Sequence, residues 1–185
     1  MAIFSSVSQS ATAWSSPELA ELKSGSADIM VLEREHLLNL AEAVRLAPIA
    51  EFRERVTLRN AAQKVEQGVN KMQLANTGLA NEVTSLVHSF LAEFDRSSVS
   101  LRIEIVDTQS CPKFHCDNVY VRLVTTYVGP STEYQYVGES NVRVSGLGSL
   151  VFLKGHKHPT HRDSVQHRSP AVPPGTKRLC VVIDF

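Results

Sequence analysis

Apolar residues recur at spacings of three and four in two stretches of the first half of the chain. The two sets are Leu58, Ala62, Val65, Val69 and Met72, followed by Leu79, Val83, Leu86, Phe90 and Phe94. This spacing predicts two amphipathic helices, each of which buries one face.

A third, shorter helix is predicted from the spacing of Leu37, Leu40 or Ala41, and Val44. It should end before Pro48, because the residue that precedes a proline is pushed out of the α region. The segment 28–33, DIMVLE, is compatible with an early strand, but its few residues show no decisive period.

The period changes to two residues after the second long helix. Val99, Leu101, Ile103 and Ile105 alternate with polar residues, which indicates a half-buried strand. Further strands are predicted at 119–128, 133–137, 141–144, 149–153 and 178–184. Short strands without intervening helices favour an antiparallel sandwich, jelly roll or barrel over a doubly wound sheet.

A chain of 185 residues is long enough for one well-buried domain and short for two. We therefore predict a single domain over 17–185, with mainly helical support in 17–97 and a strand-built core in 98–185. Residues 1–16 lack the basic and apolar regions of a secretory signal, so we expect a flexible tail there.

Composition argues against several classes of partner and of structural feature. A formal net charge of +0 gives no reason to expect a nucleic-acid partner, and no apolar stretch is long enough to predict a membrane span. Cys111, Cys116 and Cys180 show no CxxC spacing, which argues against a disulfide framework and against a thiolate zinc knuckle. A reducing, cytoplasmic location fits this cysteine usage.

The segment CPKFHCDN carries the first candidate for chemistry. His115 and Asp117 stand two residues apart at the start of a predicted strand, so both side chains should lie on one face. Together with a histidine from a distant strand, for which His167 is the candidate, they would form a 2-His-1-carboxylate triad. Such a triad leaves coordination positions open and suits Fe(II) in oxygenases. Arg178 opens the last strand, and its planar guanidinium suits bidentate binding of a carboxylate.

These motifs, with Tyr127, GPSTEY, GSLVF and HRSPAVPPGTKR, resemble the Fe(II)/2-oxoglutarate-dependent dioxygenases, especially the prolyl-hydroxylase-like branch. The resemblance implies a double-stranded β-helix (jelly roll, cupin-like), in the α+β class, with the N-terminal helices packed on one sheet. It also implies that His115, Asp117 and His167 bind iron and that Arg178 binds 2-oxoglutarate. Many members have a serine two residues after this arginine, where this chain has Cys180.

CPKFHCDN, RLVTTYVGPSTEY, LKG and HRSP together resemble a second family, domain of unknown function 1826, over nearly the whole chain. Its members tend to be associated with zinc-limitation gene sets. This resemblance implies an alternative function, a non-catalytic zinc-binding protein of metal homeostasis that uses the same three ligands. The oxygenase hypothesis implies a small molecule or a protein side chain as the substrate.

Other residues have a functional and a structural interpretation. Arg122 and Tyr127 are candidates to line the cofactor pocket, or else an outer-face charge and a core aromatic residue. His156, His158 and His161 could form an accessory metal loop, but we expect solvated histidines that the primary site does not need. Cys116 should lie on the opposite face from His115 and Asp117, where we expect a small packing residue.

Overall fold

A six-stranded antiparallel sheet separates a layer of helices from a smaller, three-stranded antiparallel sheet. The computed structural model describes residue 14 and residues 17–35 and 38–185. The helices are α1 (Pro17–Ser24), α2 (Ala41–Leu46), α3 (Ala61–Lys71) and α4 (Leu79–Glu93). The strands are β1 (Ile29–Leu32), β2 (Ala50–Thr57), β3 (Ser98–Val106), β4 (Val121–Val128), β5 (Glu133–Tyr136), β6 (Arg143–Val144), β7 (Leu150–Lys154), β8 (Val165–Arg168) and β9 (Arg178–Asp184).

The strand order of the large sheet is β1-β7-β4-β9-β3-β2, and that of the small sheet is β6-β5-β8. Among the described residues, the two sheets do not close into the barrel that the sequence led us to expect. The α+β class with antiparallel sheets is confirmed.

The two faces of the large sheet differ in chemistry. In β9, Leu179, Val181 and Ile183 pack with the helices in the main core. The alternating residues Arg178 and Cys180 face the small sheet, and both are buried. A polar cavity therefore lies between the two sheets, on the side away from the helices.

Two predictions for the N-terminal half need correction. The sequence predicts no strand between residues 34 and 97, but β2 lies there and forms one edge of the large sheet, as β1 forms the other. The helix expected from Leu58 begins at Ala61, and Leu58 lies in a turn and is 62% exposed. The segment 28–33 contains a strand, β1, with which its sequence is compatible.

The expected N-terminal tail, residues 1–16, and Leu37 of the short helix lie outside the described residues, except for Trp14. Trp14 is buried, and its ring packs edge-on against Phe152 at a centroid distance of 5.2 Å. This residue of the expected tail therefore belongs to the core. In the part of the chain that the structure describes, no helix is both long and apolar enough to cross a membrane.

Candidate metal centre

His115 and His167 are joined through their backbones. The His115 amide donates to the His167 carbonyl at 3.0 Å, and the His167 amide donates back to the His115 carbonyl at 3.0 Å. His167 belongs to β8 of the small sheet, whereas His115 precedes β4 of the large sheet. This isolated bridge ties the two sheets together and sets the two imidazole rings 4.6 Å apart.

One ligand atom from each of His115, Asp117 and His167 lies within 4.8 Å of the other two. Asp117 Oδ2 is 3.0 Å from His167 Nε2, and Asp117 Oδ1 is 3.6 Å from His115 Nε2. Donors bound to one metal at about 2.1 Å lie about 3.0 Å apart in an octahedron and about 3.4 Å apart in a tetrahedron. The observed separations fit a shared cation of either geometry.

The tautomer of His115 also suits a metal. Its Nδ1 lies 2.8 Å from the Lys113 carbonyl oxygen. Because a carbonyl only accepts, Nδ1 must carry the proton, and a neutral ring then keeps a lone pair on Nε2. A backbone bond of this kind fixes the ring orientation of metal-binding histidines in general.

Asp117 Oδ2 is buried, and its 3.0 Å contact with His167 Nε2 does not have the geometry of a good hydrogen bond. A buried oxygen without a well-directed donor is costly, and a cation between the three side chains would remove that cost. Burial alone would raise the pKa of Asp117, but the His167 ring and the Arg122 guanidinium outweigh it and hold the pKa at about 2. Asp117 is therefore a carboxylate at neutral pH.

Arg122 in β4 holds this carboxylate from the other side. Its Nη1 is 2.5 Å from Asp117 Oδ1, while Nε and Nη2 donate to Asp184 Oδ2 at 2.9 and 2.5 Å. Asp184 is the register partner of Arg122 on β9. Arg122 lines the cavity, but two carboxylates already occupy its guanidinium, so it is placed to orient Asp117.

Arg178, which is 3% exposed, lies deep in the same cavity. Its Nε donates to the Pro130 carbonyl at 3.0 Å, and its Nη2 donates to Thr126 Oγ1 at 3.1 Å and to Thr132 Oγ1 at 3.4 Å. The turn that supplies two of these acceptors passes close over β9 at Gly129, where a Cβ atom would lie 2.6 Å from the Lys177 carbonyl oxygen. Gly129 also has a φ of +84°, which favours glycine.

The cavity that joins the triad to Arg178 is narrow. Its volume is about 40 Å³, which is room for about three or four water molecules at roughly 10–15 Å³ each. His115, His167, Arg178 and Glu104 are among its lining residues. Glu104 Oε1 lies 3.7 Å from Arg178 Nη1, and Glu104 Oε2 lies 3.6 Å from Arg102 Nε.

A known protein family matches nearly the whole of this chain. The model of the family described as "Protein of unknown function (DUF1826)" matches residues 17–184. The chain belongs to this family. No curated protein matches it.

Several solved structures resemble this DUF1826 protein. One is JOX2 in complex with 2OG, Fe and JA, at 9% identity and a TM-score of 0.53, covering 92% of this chain and 71% of that one. A Pseudomonas putida prolyl-4-hydroxylase is 11% identical with a TM-score of 0.47, covering 90% of this chain and 95% of that one. A bsmA homolog from Methylobium petroleophilum PM1 is 14% identical with a TM-score of 0.36, covering 62% of this chain and 52% of that one, about half its length. The likeness to JOX2 shows a shared fold.

Tyr127 is not placed with the other predicted site residues of this DUF1826 protein. It belongs to the main core on the helix side of the large sheet. Its hydroxyl donates to Glu82 Oε1 on α4 at 3.1 Å, and the Arg34 guanidinium lies beside it. The alternative interpretation, a core aromatic residue, describes this position.

The structure gathers a second group of possible ligands that the sequence did not lead us to connect. One ligand atom each of Cys116, His156, His161 and Asp163 lies within 4.8 Å of the others. We expected Cys116 to be a packing residue and the loop histidines to be solvated, but Cys116 Sγ is 3.2 Å from His161 Nε2. His158 takes a different direction, since its Nδ1 is 3.3 Å from Thr160 Oγ1.

Proposed function

We propose that this protein is an Fe(II)- and 2-oxoglutarate-dependent oxygenase built on an open form of the double-stranded β-helix. His115, Asp117 and His167 bind the metal in this proposal, and Arg178 binds the distal carboxylate of the acid. One observation carries it: His115 and His167 line the same cavity as the buried Arg178, and Asp117 completes a 2-His-1-carboxylate set with these two histidines. The fold shared with JOX2, which was solved with 2OG and Fe, supports it.

The donor set fits a catalytic rather than a closed metal site. Three protein ligands leave positions free for a substrate acid and for oxygen. Bound iron would supply the chemistry by which O2 oxidises both 2-oxoglutarate, to succinate and CO2, and the substrate, with one oxygen atom going to each. The chain's own contribution is orientation, because the His115 ring is fixed by Lys113 and the Asp117 carboxylate is fixed by Arg122.

Arg178 is suited to the acid because its surroundings keep the guanidinium in one orientation. Thr126 and Thr132 place two hydroxyl groups beside it. Either hydroxyl can assist in binding a carboxylate where related enzymes use a serine and this chain has the thiol of Cys180. The acid's two negative charges would balance the two positive charges of the metal, so loading both leaves the net charge of the cavity unchanged.

The test is an anaerobic titration of the Fe(II)-loaded protein with 2-oxoglutarate. We expect a visible charge-transfer band as the keto acid binds, and succinate after oxygen is admitted. One charge-assisted hydrogen bond contributes roughly 1.5–3 kcal/mol, so Arg178→Ala should weaken acid binding about tenfold to a hundredfold. Arg178→Lys should recover part of the loss, because an ammonium group lacks the planar fork.

Arg53→Ala provides the matched control, since Arg53 lies on the outer strand β2 and pairs only with an exposed neighbour, Glu51, among the described residues. It should bind the acid as the unmodified protein does. The metal should remain bound in the Arg178 variants and should be lost in His115→Ala, Asp117→Ala and His167→Ala. An Fe(II) protein that shows neither the band nor succinate would refute the oxygenase function.

A second candidate function is a non-catalytic zinc-binding protein that uses the same three ligands. Arg178 favours this function, because its guanidinium already faces the carboxylate of Glu104 in a cavity of only about 40 Å³, which leaves little room for an acid. Zinc fits two histidines and one aspartate as readily as iron does. Metal analysis after growth in iron-replete and zinc-poor medium separates the oxygenase from the zinc-binding protein. The oxygenase would contain iron, whereas the zinc-binding protein would contain zinc or no metal and would bind no 2-oxoglutarate.

A further inference from the structure

Cys116, His156, His161 and Asp163 form a mixed group of one sulfur, two nitrogen and one oxygen donors on the outer side of the His115–Asp117 segment. We propose that these four side chains bind a second divalent metal ion, zinc, in a closed structural site. Thiolate and imidazole are the ligands that zinc prefers, and four protein ligands complete its tetrahedron. The first site, with three protein ligands, is open by contrast.

The distances within the group are close to those around a tetrahedral ion. Bonds of about 2.0–2.3 Å place the donors of a zinc tetrahedron about 3.3–3.8 Å apart. Cys116 Sγ lies 3.2 Å from His161 Nε2, just below this range, and Asp163 Oδ1 lies 3.8 Å from both His161 Nε2 and His156 Nδ1, at its upper end. Small side-chain movements would therefore place all four donors around one ion.

The loop that carries three of the four ligands is held in place from two directions. The buried carboxylate of Asp28 accepts bonds from the Ser164 hydroxyl at 2.6 Å, the Ser164 amide at 2.8 Å and the Arg162 amide at 3.1 Å. These bonds fix the backbone on both sides of Asp163. The ligands at the end of the loop therefore have defined positions before a metal arrives.

The start of the loop lies directly on the first site. The His156 amide donates to the Asp117 carbonyl oxygen at 2.8 Å, and the Gly155 amide donates to the Tyr120 carbonyl oxygen at 2.9 Å. Glycine is required at position 155 because a Cβ atom there would overlap the Val119 carbonyl oxygen. Cys116 itself stands between His115 and Asp117, so an ion at the second site would also hold the ligands of the first.

This proposal does not depend on the oxygenase activity, and it is tested with metal alone. Metal-free, full-length protein is titrated with Co(II), which substitutes for zinc and gives an ultraviolet thiolate-to-metal charge-transfer band only when sulfur is bound. We expect two equivalents per chain and this band in the unmodified protein. Cys116→Ser and His156→Ala should each lose the band, or nearly all of its intensity, and one equivalent of tight binding. His156 is exposed, so its replacement should not impair folding.

Matched controls exist for both kinds of ligand. Cys111→Ser removes an exposed thiol that lines the cavity of the first site and is not one of the four ligands, and His158→Ala removes a histidine of the same loop that faces Thr160. Both should keep the band and the stoichiometry. Asp117→Asn should keep the band while losing the other equivalent, which separates failure of this site from failure of the proposed function. Absence of the band in the unmodified protein, or its persistence in Cys116→Ser, would overturn the proposal.

Discussion

Glu104 is positioned to compete with an acidic ligand for Arg178, and its replacement by glutamine should therefore strengthen 2-oxoglutarate binding. Its carboxylate lies in the cavity, 3.7 Å from the Arg178 guanidinium and 3.6 Å from that of Arg102, and the side chain is 5% exposed. A ligand carboxylate would enter the same cavity. It would meet two guanidinium groups but also one negative charge of its own sign.

The size of the effect follows from the separation of the two carboxylates. A ligand bonded to Arg178 at about 2.8 Å, on the side away from Glu104, would lie about 6 Å from the Glu104 carboxylate. At an effective dielectric constant of about 20, that repulsion is about 3 kcal/mol. Some of it will be relieved by movement of Glu104, so we expect Glu104→Gln to bind the acid about tenfold to a hundredfold more tightly.

The same substitution should make the ligand-free protein less stable, because it leaves the buried guanidinium of Arg178 and the half-buried guanidinium of Arg102 with one fewer negative partner. Breaking a well-made buried pair costs about 3–5 kcal/mol, and these longer contacts should cost less, about 1–3 kcal/mol. Urea unfolding with and without 2-oxoglutarate measures both effects. We expect the acid to restore more stability to the variant than to the unmodified protein.

Glu54→Gln is a suitable control, since Glu54 is on the outer strand and pairs with Lys64 at 3.5 Å, away from the cavity. It should change neither the affinity for the acid nor the response of stability to it. An unchanged or weaker affinity in Glu104→Gln would mean that Glu104 assists the ligand or never meets it. Glu104 would then not compete with the acid for Arg178.

Three further predictions concern the groups that support the sites. Arg122→Gln should weaken metal binding at Asp117 by roughly tenfold to a hundredfold without abolishing it, as seen in Fe(II) titrations. Asp28→Ala should lower the free energy of unfolding by roughly 3 kcal/mol at neutral pH. Burial raises the pKa of Asp28, but the hydrogen bonds that its carboxylate accepts outweigh burial, and the folded pKa is lowered. The carboxylate therefore stabilises the fold at pH values above the unfolded pKa of Asp28. That stabilisation is lost as pH falls through the folded pKa, and urea unfolding at neutral and acid pH should show the difference between variant and unmodified protein shrinking. Gly155→Ala should destabilise the protein by about 1–3 kcal/mol, because its Cβ would overlap the Val119 carbonyl oxygen, and thermal unfolding will measure this.

The sequence predicts the elements with strong periods and misses those without one. The alternation in β3 and the three-and-four spacing of α4 were sufficient to find both elements. Strand β2, AEFRERVT, lies at the edge of the sheet, where only Phe52 and Val56 are buried. A strand that buries so few side chains shows little hydrophobic alternation, so periodicity has almost nothing to detect.

The candidate site shows the same limit in another form. The spacing of His115 and Asp117 predicted that the imidazole and the carboxylate lie on the same face of the chain. The structure brings both groups together with His167. Glu104 is one of the polar residues that alternate with the apolar residues of β3. Alternation assigns it to the face opposite the core but does not reveal that a second sheet covers that face. The bonds from Asp28 to the loop at 162–164, which bring Asp163 towards Cys116, join residues far apart in sequence.

Cys116 makes the two groups of ligands interdependent, and the sign of their coupling can be argued. Zinc bound to one thiolate and one carboxylate has no net charge, so loading the second site places no positive charge near the first. It removes only the attraction of the Asp163 carboxylate, which is 70% exposed and therefore well screened. It would, however, fix the backbone of residues 115–117, and ordering one residue costs about 1–2 kcal/mol. If the second ion has already ordered one of these residues, the first site binds its metal roughly tenfold more tightly. The loop histidines, which we expected the primary site not to need, should therefore influence it, and removing His156 should weaken the first site without removing any of its ligands.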